Sequence, residues 1–274
     1  MREGRAGSLE KSPVHEGAGK LQKVKVAIVG TGRMGKTLSL VFKSAGTAVT
    51  LCSRFPEKAK EVSKKLGVGW GGVEKIADHD IVVLAVPTEH LPGVVRVVSG
   101  LMRPCSLLSD ISSVKLPVVR RLLAEIPEHI EYISIHPLFG PTECFKGENV
   151  VVIPVRSKNW LNPFLQLLRC AGLNVAVATP EEHDRAMALV QVAHHFALLT
   201  LREVFKDLSG WAPSLGIFTT RSLRKTLKVM KRIEELIDVV EMIQRLNPYA
   251  KEAREAFIKA AKRVHTKFTT ESKI

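Results

Sequence analysis

Three glycines follow a short apolar stretch near the start of the chain, in the sequence KVAIVGTGRMG. The apolar residues predict a strand, and a helical pattern begins directly after the last glycine. In such a unit the first glycine permits a tight turn, the second lets a pyrophosphate approach the backbone, and the third lets the helix pack on the strand. Unpaired amides at the helix start then face the phosphates. This spacing predicts a dinucleotide site formed by Gly30, Thr31, Gly32, Arg33, Met34 and Gly35.

A second predicted strand leads into Ser53 and Arg54. At this position, about twenty residues beyond the glycines, many dinucleotide-binding folds carry an acidic residue that bonds the ribose hydroxyls of NAD. A carboxylate would repel a 2′-phosphate, whereas a hydroxyl and a guanidinium can bind one. We therefore expect NADP as the cofactor, with NAD possible. The alternative is that Arg54 is only a surface residue at the start of a helix.

Polar and small residues follow three further predicted strands. The segments are Ala85, Val86 and Pro87, then DISSVK at residues 110–115, then HPLFGP at residues 136–141. Residues after the carboxyl ends of parallel strands line the crevice where a nicotinamide would lie, so the first segment is expected to contact the cofactor. Imidazole titrates near neutrality, which makes His136 the candidate for proton transfer, and Ser113 could bond either His136 or a substrate hydroxyl. The alternative for His136 is a structural role.

A long predicted helix opens at Pro180 and is apolar on every side over residues 186–201, except for Gln191, His194 and His195. Spacings of three and four residues place these polar side chains on one face. They must find partners either in a neighbouring helix or in a polar cavity. We expect no metal site, because further ligands at suitable spacing are lacking.

Positive charge dominates the composition. The net charge is +14 over 274 residues, which favours anionic partners. Aromatic residues make up only 5% of the chain and no nucleic-acid-binding signature occurs, so we expect a small anionic ligand and no nucleic acid. A basic run without an internal acid contains Arg221, Arg224, Lys225, Lys228, Lys231 and Arg232. Most of this run is expected to be a solvated helix face, although arginines near its start could reach substrate carboxylates.

Strand and helix patterns alternate up to about residue 178, and helical periods follow to the end. We predict an α/β protein with an N-terminal Rossmann-type doubly wound sheet followed by an all-α domain. The predicted divisions are a flexible tail at 1–22, a dinucleotide-binding domain at 23–178 and a helical substrate and dimerisation domain at 179–274. Because a helix that is apolar all round must be covered, we expect a homodimer formed through the helical domain.

Four widely spaced cysteines, Cys52, Cys105, Cys144 and Cys170, form no CxxC pair. Three of them sit in or beside apolar runs, which predicts buried free thiols in a reducing compartment. No signal-peptide pattern occurs near the start, and the longest uncharged stretch is too short to span a bilayer comfortably. We expect a cytoplasmic protein that does not contact a membrane.

The chain resembles the prephenate/arogenate dehydrogenases of tyrosine biosynthesis, archaeal members especially, in six motifs that occur in the same order: GTGRMG, LAVP, DISSVK, HPLFGP, PEEHDRAMALVQVAHHF and IQRLNPYAKEAREAF. The resemblance runs from about residue 24 to residue 264. It implies a dinucleotide-binding domain joined to a dimerising helical domain, in a 6-phosphogluconate dehydrogenase-like arrangement. It also implies oxidative decarboxylation of prephenate to 4-hydroxyphenylpyruvate, with hydride passing to NADP or NAD.

The same resemblance implies roles for single residues. His136 would accept the proton of the ring hydroxyl, and Ser113 would bond that hydroxyl and orient His136. Gln191 and His195 fall on polar active-site positions of the family, and a shift of one residue would choose His194 instead.

The family's carboxylate-binding arginine should lie near Arg221 or Arg224. The sequence around these arginines departs from the family pattern, which leaves arogenate open as the substrate beside prephenate. Another NADP-dependent reductase of the same two-domain architecture is the second enzyme interpretation. A cofactor-binding regulatory or nucleic-acid-associated protein is the third interpretation, motivated by the charge of +14.

Overall fold

The computed structural model describes residues 24–211 and 215–270, so the predicted tail at residues 1–22 lies outside the described residues. Within them, eight strands form one sheet. The strands are β1 Lys25–Val29, β2 Ala48–Cys52, β3 Gly69–Gly71, β4 Ile81–Leu84, β5 Leu107–Asp110, β6 Glu131–Pro137, β7 Asn149–Arg156 and β8 Asn174–Val177. Their order across the sheet is β3-β2-β1-β4-β5-β6-β7-β8.

Helices cover both faces of the sheet and then form the C-terminal part of the described chain. Those on the sheet are α1 Arg33–Ser44, α2 Pro56–Leu66, α3 Leu91–Ser99, α4 Leu116–Leu123 and α5 Leu161–Cys170. After the last strand come α6 Pro180–Met187, a π-helical turn Ala188–Ala193, α7 His194–Asp207, α8 Arg221–Glu234, α9 Ile237–Leu246 and α10 Ala250–Thr270. The predicted α/β architecture with a helical C-terminal part is confirmed.

The first strand, β1, lies in the interior of the sheet. Strand β1 pairs in parallel with β2 on one side and with β4 on the other. This reversal of strand order leaves a crevice outside the carboxyl ends of β1 and β4, where doubly wound sheets bind ligands. The central strands are buried on both faces, which explains their continuous apolar sequences.

Three features of the sheet differ from the sequence prediction. Strand β7 runs antiparallel to β6, because residues 138–148 between them contain no helix that could form a parallel crossover. The sequence did not predict the edge strand β3, because two of the three residues in GWG are glycines, which are depleted in strands. It also did not predict β8, which has only four residues. The doubly wound sheet is therefore parallel at every strand pair except β6 with β7.

Two apolar clusters fix the helices on the sheet, one on each face. On one face, Phe42 of α1 and Phe164 of α5 stack with ring centroids 6.0 Å apart over Ile28. On the other face, Val95 of α3 and Leu122 of α4 pack in the second cluster. Each such side chain contributes about 1.5–3 kcal/mol of burial free energy, so the strand ends are held in fixed positions.

The helical part is less enclosed than the sheet. Helix α6 begins with a capping box, in which Thr179 Oγ1 accepts from the Glu182 amide and the Glu182 carboxylate accepts from the Thr179 amide. In the following π-helical turn, Leu189 is 73% exposed and Val190 is 56% exposed. A single chain therefore does not enclose residues 186–201. Among the described residues, no helix combines the length and the apolarity needed to cross a membrane.

The cysteines differ in burial. Cys52 is buried in β2, whereas Cys105, Cys144 and Cys170 are exposed. The expectation of buried thiols in or beside apolar runs is confirmed for Cys52 and wrong for Cys105 and Cys170, because their apolar runs end in a turn and at the solvent side of a helix.

Two glycines of the loop after β1 are required by its shape. Gly30 has a φ of 125°, which residues with a Cβ rarely adopt, and a Cβ there would overlap the carbonyl oxygen of Ala85. A Cβ on Gly35 would overlap the carbonyl oxygen of Gly30. Gly32, in contrast, has a φ of −69° and nothing within 4 Å of the place where its Cβ would lie. The fold alone therefore does not require Gly32.

We predict that Gly30→Ala lowers the free energy of unfolding by at least about 2 kcal/mol, because it adds backbone strain to a steric overlap. Gly32→Ala is the matched control and should cost less than about 1 kcal/mol, the range of a changed helix cap. Urea denaturation of both variants measures the difference. Equal stability of the two variants would contradict the assignment.

Candidate active site

Three loops meet at the carboxyl edge of the sheet beside β1. The Gly30 amide donates to the Cys52 carbonyl at 3.0 Å, and the Ala85 amide donates to the Val29 carbonyl at 2.8 Å. These bonds place the glycine loop between the ends of β2 and β4. The predicted cofactor contacts Ala85, Val86 and Pro87 follow β4 at this edge, the first two half-buried and the third exposed.

The start of α1 forms an open cradle in this loop. Gly32 is its N-terminal cap, no side chain caps the first turn, and that turn contains no acid. The amides there are free to bind an anion, and the missing side chain of Gly32 leaves the space that a phosphate would occupy. The residues present therefore fit the pyrophosphate of a dinucleotide. Thr31 and Met34 lie half-buried beside the cradle, and Arg33 is exposed.

The end of β2 carries a cation beside an aromatic ring. The Arg54 guanidinium lies 5.0 Å from the centroid of the Phe55 ring, and both side chains are exposed. Ser53 Oγ accepts from the Phe55 amide at 3.1 Å, which fixes the turn into α2. The predicted pair Ser53 and Arg54 thus stands at the same edge as the glycine loop.

His136 lies within β6 and is only 3% exposed. Its Nδ1 is 2.8 Å from His183 Nε2, and the two ring centroids are 5.0 Å apart. Burial lowers the pKa of His136 well below its ordinary value, and the charge of Lys115 lowers it further. Burial also lowers the pKa of His183, although Asp184 opposes that shift. Both imidazoles are therefore neutral at pH 7.

Asp184, which is fully buried in α6, continues this chain of hydrogen bonds. Its Oδ1 lies 2.8 Å from His183 Nδ1 and accepts from the Lys115 amide at 2.9 Å, while its Oδ2 accepts from the Leu116 amide at 2.8 Å. Its backbone carbonyl accepts from the side-chain amide of Asn247 at 2.9 Å. The described residues contain no group of three or more His, Cys, Asp or Glu side chains that could hold a metal ion.

Lys115 lies fully buried beneath the strand that carries His136. Its Nζ donates to Ser112 Oγ at 3.2 Å, to Ser134 Oγ at 2.7 Å and to the Ile135 carbonyl at 2.7 Å, and lies 3.5 Å from Asp110 Oδ1. Two of these partners belong to β6, next to His136 along the chain. Lys115 therefore fixes the strand as well as supplying a charge.

Asp110 neutralises this buried lysine. Burial by itself would raise the pKa of Asp110, but Lys115 and several hydrogen bonds bring it below its ordinary value. Tyr132 donates to Asp110 Oδ2 at 2.7 Å, and burial together with the charge of Asp110 raises the pKa of Tyr132 well above 10. Burial lowers the pKa of Lys115, and Asp110 opposes that shift. The buried network around Lys115 thus contains one compensated ion pair, Lys115 with Asp110.

The predicted polar positions on the long helix differ in exposure. His194 is exposed, whereas His195 and Gln191 are half-buried. Gln191 Oε1 and His195 Nδ1 are buried atoms without a hydrogen-bond partner. Burial, together with the nearby His194, lowers the pKa of His195 to about 4. Buried polar atoms normally have a partner, and these two, on residues four positions apart, have none among the described residues.

Ser113 is half-buried after β5. Its neighbour Val114 packs against Val192, the neighbour of Gln191, so the two predicted segments adjoin. No hydrogen bond joins Ser113 to His136 among the described residues. The orienting contact that the resemblance assigned to Ser113 is made by His183.

The basic run forms α8, where Arg221 and Arg224 are both exposed. Farther along this helix, the guanidinium of Arg232 lies against Gly140 in the HPLFGP segment that begins with His136. The structure therefore brings Arg232 close to the loop after β6. Arg221 and Arg224 stay predictions as substrate ligands.

Comparison with known families decides the relationship. Residues 38–177 match the family model described as the nucleotide-binding domain of prephenate dehydrogenase, and residues 179–273 match the one described as its dimerization domain. The chain belongs to the prephenate dehydrogenase family.

Similar proteins include enzymes named for either of two substrates. A probable arogenate/prephenate dehydrogenase of Methanocaldococcus jannaschii is 31% identical over 86% of this chain and 55% of its own length. A probable NADP(+) prephenate dehydrogenase of Schizosaccharomyces pombe is 27% identical over 65% of this chain and 42% of its own length. The chain thus spans about half the length of these relatives. The crystal structure of Synechocystis arogenate dehydrogenase has the same fold, with a TM-score of 0.74 and 17% identity over 91% of this chain and 94% of that one.

The sequence prediction did not single out four residues of this candidate site: Lys115, His183, Asp184 and Arg232. A lysine inside the apolar segment VKLPVV and an adjacent His–Asp pair in the first turns of a helix were the available signals. Neither signal identifies a partner, because the contacts join residues far apart in the chain. Arg232 could not be distinguished from five other cations in its run.

We predict that the free energy of unfolding falls as pH is lowered from 7.5 to 5.5. Unfolded histidines take up protons near pH 6.5, whereas the lowered pKa values of His136 and His183 mean that the folded chain takes up these protons only at lower pH. Stability is therefore present above the unfolded pKa and is lost below it, by up to about 1.4 kcal/mol per pH unit for each histidine. Chemical denaturation across this pH range measures the slope.

The control is His183→Gln, which removes one titrating group. Its free energy of unfolding should depend less steeply on pH than that of the wild type, by the uptake of roughly one proton. Repulsion among the surface cations affects both proteins equally. Identical slopes would show that His183 binds its proton equally in the folded and unfolded states, which would contradict the lowered pKa.

Proposed function

We propose that this chain catalyses the oxidative decarboxylation of prephenate to 4-hydroxyphenylpyruvate, linked to NADP, in tyrosine biosynthesis. Family membership supports the reaction class. The observation that carries the proposal is a buried, neutral His136 at the edge of a dinucleotide-binding sheet, bonded to His183 of the helical part. In this proposal residues 23–178 bind the cofactor and residues 179–274 complete the substrate site.

The glycine loop and the start of α1 would hold the pyrophosphate, and Arg54 would bind the 2′-phosphate of NADP. A guanidinium beside an exposed aromatic ring offers both charge and a flat apolar surface to that end of the cofactor. The name of the S. pombe relative specifies NADP(+), which supports this choice. NAD stays possible, because the hydroxyl of Ser53 can also bond an unphosphorylated ribose. The bound nicotinamide would accept hydride from the ring carbon that bears the hydroxyl.

His136 would accept the proton of that ring hydroxyl. Its Nδ1 is occupied by His183, so Nε2 is the nitrogen available to a substrate. Loss of hydride leaves positive character on the hydroxyl carbon, and loss of the hydroxyl proton relieves it. The ring carboxylate then leaves as carbon dioxide, and its bonding electrons complete the aromatic ring. Ser113 would bond the same hydroxyl.

Cationic and polar groups for the rest of the substrate come from the helical part. We assign a substrate carboxylate to Arg232, because its guanidinium reaches the loop that follows His136. The unpartnered atoms of Gln191 and His195 would bond the polar side chain of the substrate. His194 is exposed and is the weaker choice of the adjacent histidines.

A homodimer would cover the apolar surface of the helical part. Leu189, Val190, Ile217 and Phe218 are each more than half exposed. The matched family model is described as a dimerization domain, which supports pairing through this region.

Arogenate is the second candidate substrate, because the M. jannaschii relative is named for both compounds. The two differ in the side chain, which carries a keto group in prephenate and an amino group in arogenate. The test is formation of reduced cofactor from each substrate with NADP and with NAD. Turnover confined to one combination identifies substrate and cofactor, and silence in all four refutes the proposed reaction.

We predict that His136→Asn lowers kcat in the active combination roughly a hundred- to ten-thousandfold, the usual contribution of a general base. Cofactor binding, measured by fluorescence titration, should be preserved, because His136 does not form the glycine cradle. His129→Asn makes the same chemical change at an exposed position and should retain activity. Near-normal turnover in His136→Asn would rule out the base assignment.

We predict that Arg232→Ala raises the KM for the substrate about ten- to a hundredfold, because it removes a charge-assisted bond to a carboxylate. The matched variants Arg221→Ala and Arg224→Ala remove equal charge from the same helix and should change KM much less. Steady-state kinetics at saturating cofactor compare the three. A larger effect at Arg221 or Arg224 would transfer the carboxylate contact to that residue.

A further inference from the structure

We infer that His183 and Asp184 form a positioning pair that keeps the proton of neutral His136 on Nδ1 and so leaves Nε2 as the basic nitrogen. The inference deepens the proposed function, since it rests on His136 acting as the base. It concerns a property of the folded chain that exists without substrate, and can therefore be tested separately from the reaction.

Asp184 fixes the position of the first hydrogen in the chain of contacts. Both of its carboxylate oxygens accept backbone amides, from Lys115 and Leu116. An ionised carboxylate has no proton to donate, so the hydrogen in the 2.8 Å contact with His183 belongs to His183 Nδ1. A neutral imidazole carries only one such hydrogen, and His183 Nε2 must therefore be an acceptor.

The next contact follows from this assignment. His183 Nε2 lies 2.8 Å from His136 Nδ1, so His136 Nδ1 must be the donor. His136 has then used its only hydrogen, and its Nε2 carries a lone pair. Nε2 makes no hydrogen bond within the described residues, and it is not among the enclosed side-chain atoms without a partner. The base therefore faces an open position rather than a protein group.

The pair also acts when the base is protonated. Once His136 Nε2 takes a proton, the Nδ1 hydrogen becomes more acidic and its bond to His183 strengthens. The negative charge of Asp184, one imidazole away, then balances an imidazolium that Lys115 would otherwise destabilise. A carboxylate that orients a histidine and balances its charge need not itself be protonated.

The first test reads the tautomer directly. The full chain, labelled with ¹⁵N in its histidines and free of ligands at pH 7.5, is examined by two-dimensional NMR that correlates ring nitrogens with ring protons. The signals of His136 are identified by their loss in His136→Asn. We expect Nδ1 in the protonated range and Nε2 in the unprotonated range. The opposite pattern overturns the inference whatever the substrate of the enzyme is.

The second test uses two variants of His183, each of which can replace only one of its two ring-nitrogen contacts. The amide of Gln reaches the place of Nε2 and can still accept from His136, whereas the amide of Asn reaches the place of Nδ1 and can bond only Asp184. We expect kcat to fall no more than about threefold in His183→Gln and on the order of a hundredfold in His183→Asn, the scale of a misplaced general base. Cofactor affinity should be equal in both.

A purely structural role for His183 predicts a different result. Both variants lose the same ring packing, so equal losses of kcat at matched stability would overturn the inference. If His183→Asn does not fold, the NMR pattern of the wild type still decides it. If no substrate in the four-way assay is turned over while His136 shows the Nδ1–H tautomer, the proposed reaction fails and the positioning pair stands.

Discussion

The carboxylate of Asp184 is the group on which both the domain junction and the candidate base depend. It supplies the N-terminal cap that α4 lacks in its own sequence, because it accepts the amides of Lys115 and Leu116. It also bonds His183, which holds His136. A buried charge without donors would be costly, and these bonds offset that cost only when the helical part is docked on the sheet. Docking of the helical part on the sheet therefore also orients His136.

A second buried charge sets the chemical character of the base. Lys115 holds two β6 groups beside His136 and lowers the pKa of His136 through its charge. A low pKa keeps the imidazole unprotonated, so that it can accept a proton, but it also makes the imidazole a weaker base. In the proposed reaction this weakness would be offset, because the departing hydride would acidify the hydroxyl on the same carbon. Burial lowers the pKa of Lys115 and the nearby Asp110 opposes that shift, which explains why the network extends to a second carboxylate.

The sequence predicts the local parts of this site and fails on the parts that depend on docking. The glycine loop is predictable because Gly30 and Gly35 meet requirements within one strand–turn–helix unit. His136 is predictable from its place at a strand end. Its contact with His183 joins residues 47 positions apart and exists only after α6 packs on the sheet, so no spacing rule reveals it. Arg232 was missed for a similar reason, since an amphipathic helix does not show which of its cations meets a loop from another domain.

The π-helical turn explains how one short segment can serve both a substrate site and a subunit contact. Its wider winding inserts a residue into the helix, as happens often at functional sites. Leu189 and Val190 face outward with most of their surface uncovered, while the next residue, Gln191, turns a polar atom inward without a partner. A subunit packed over the two apolar residues would restrain the backbone that carries Gln191. In the proposed dimer, the partner subunit would therefore help to hold the backbone of the substrate-facing segment in place.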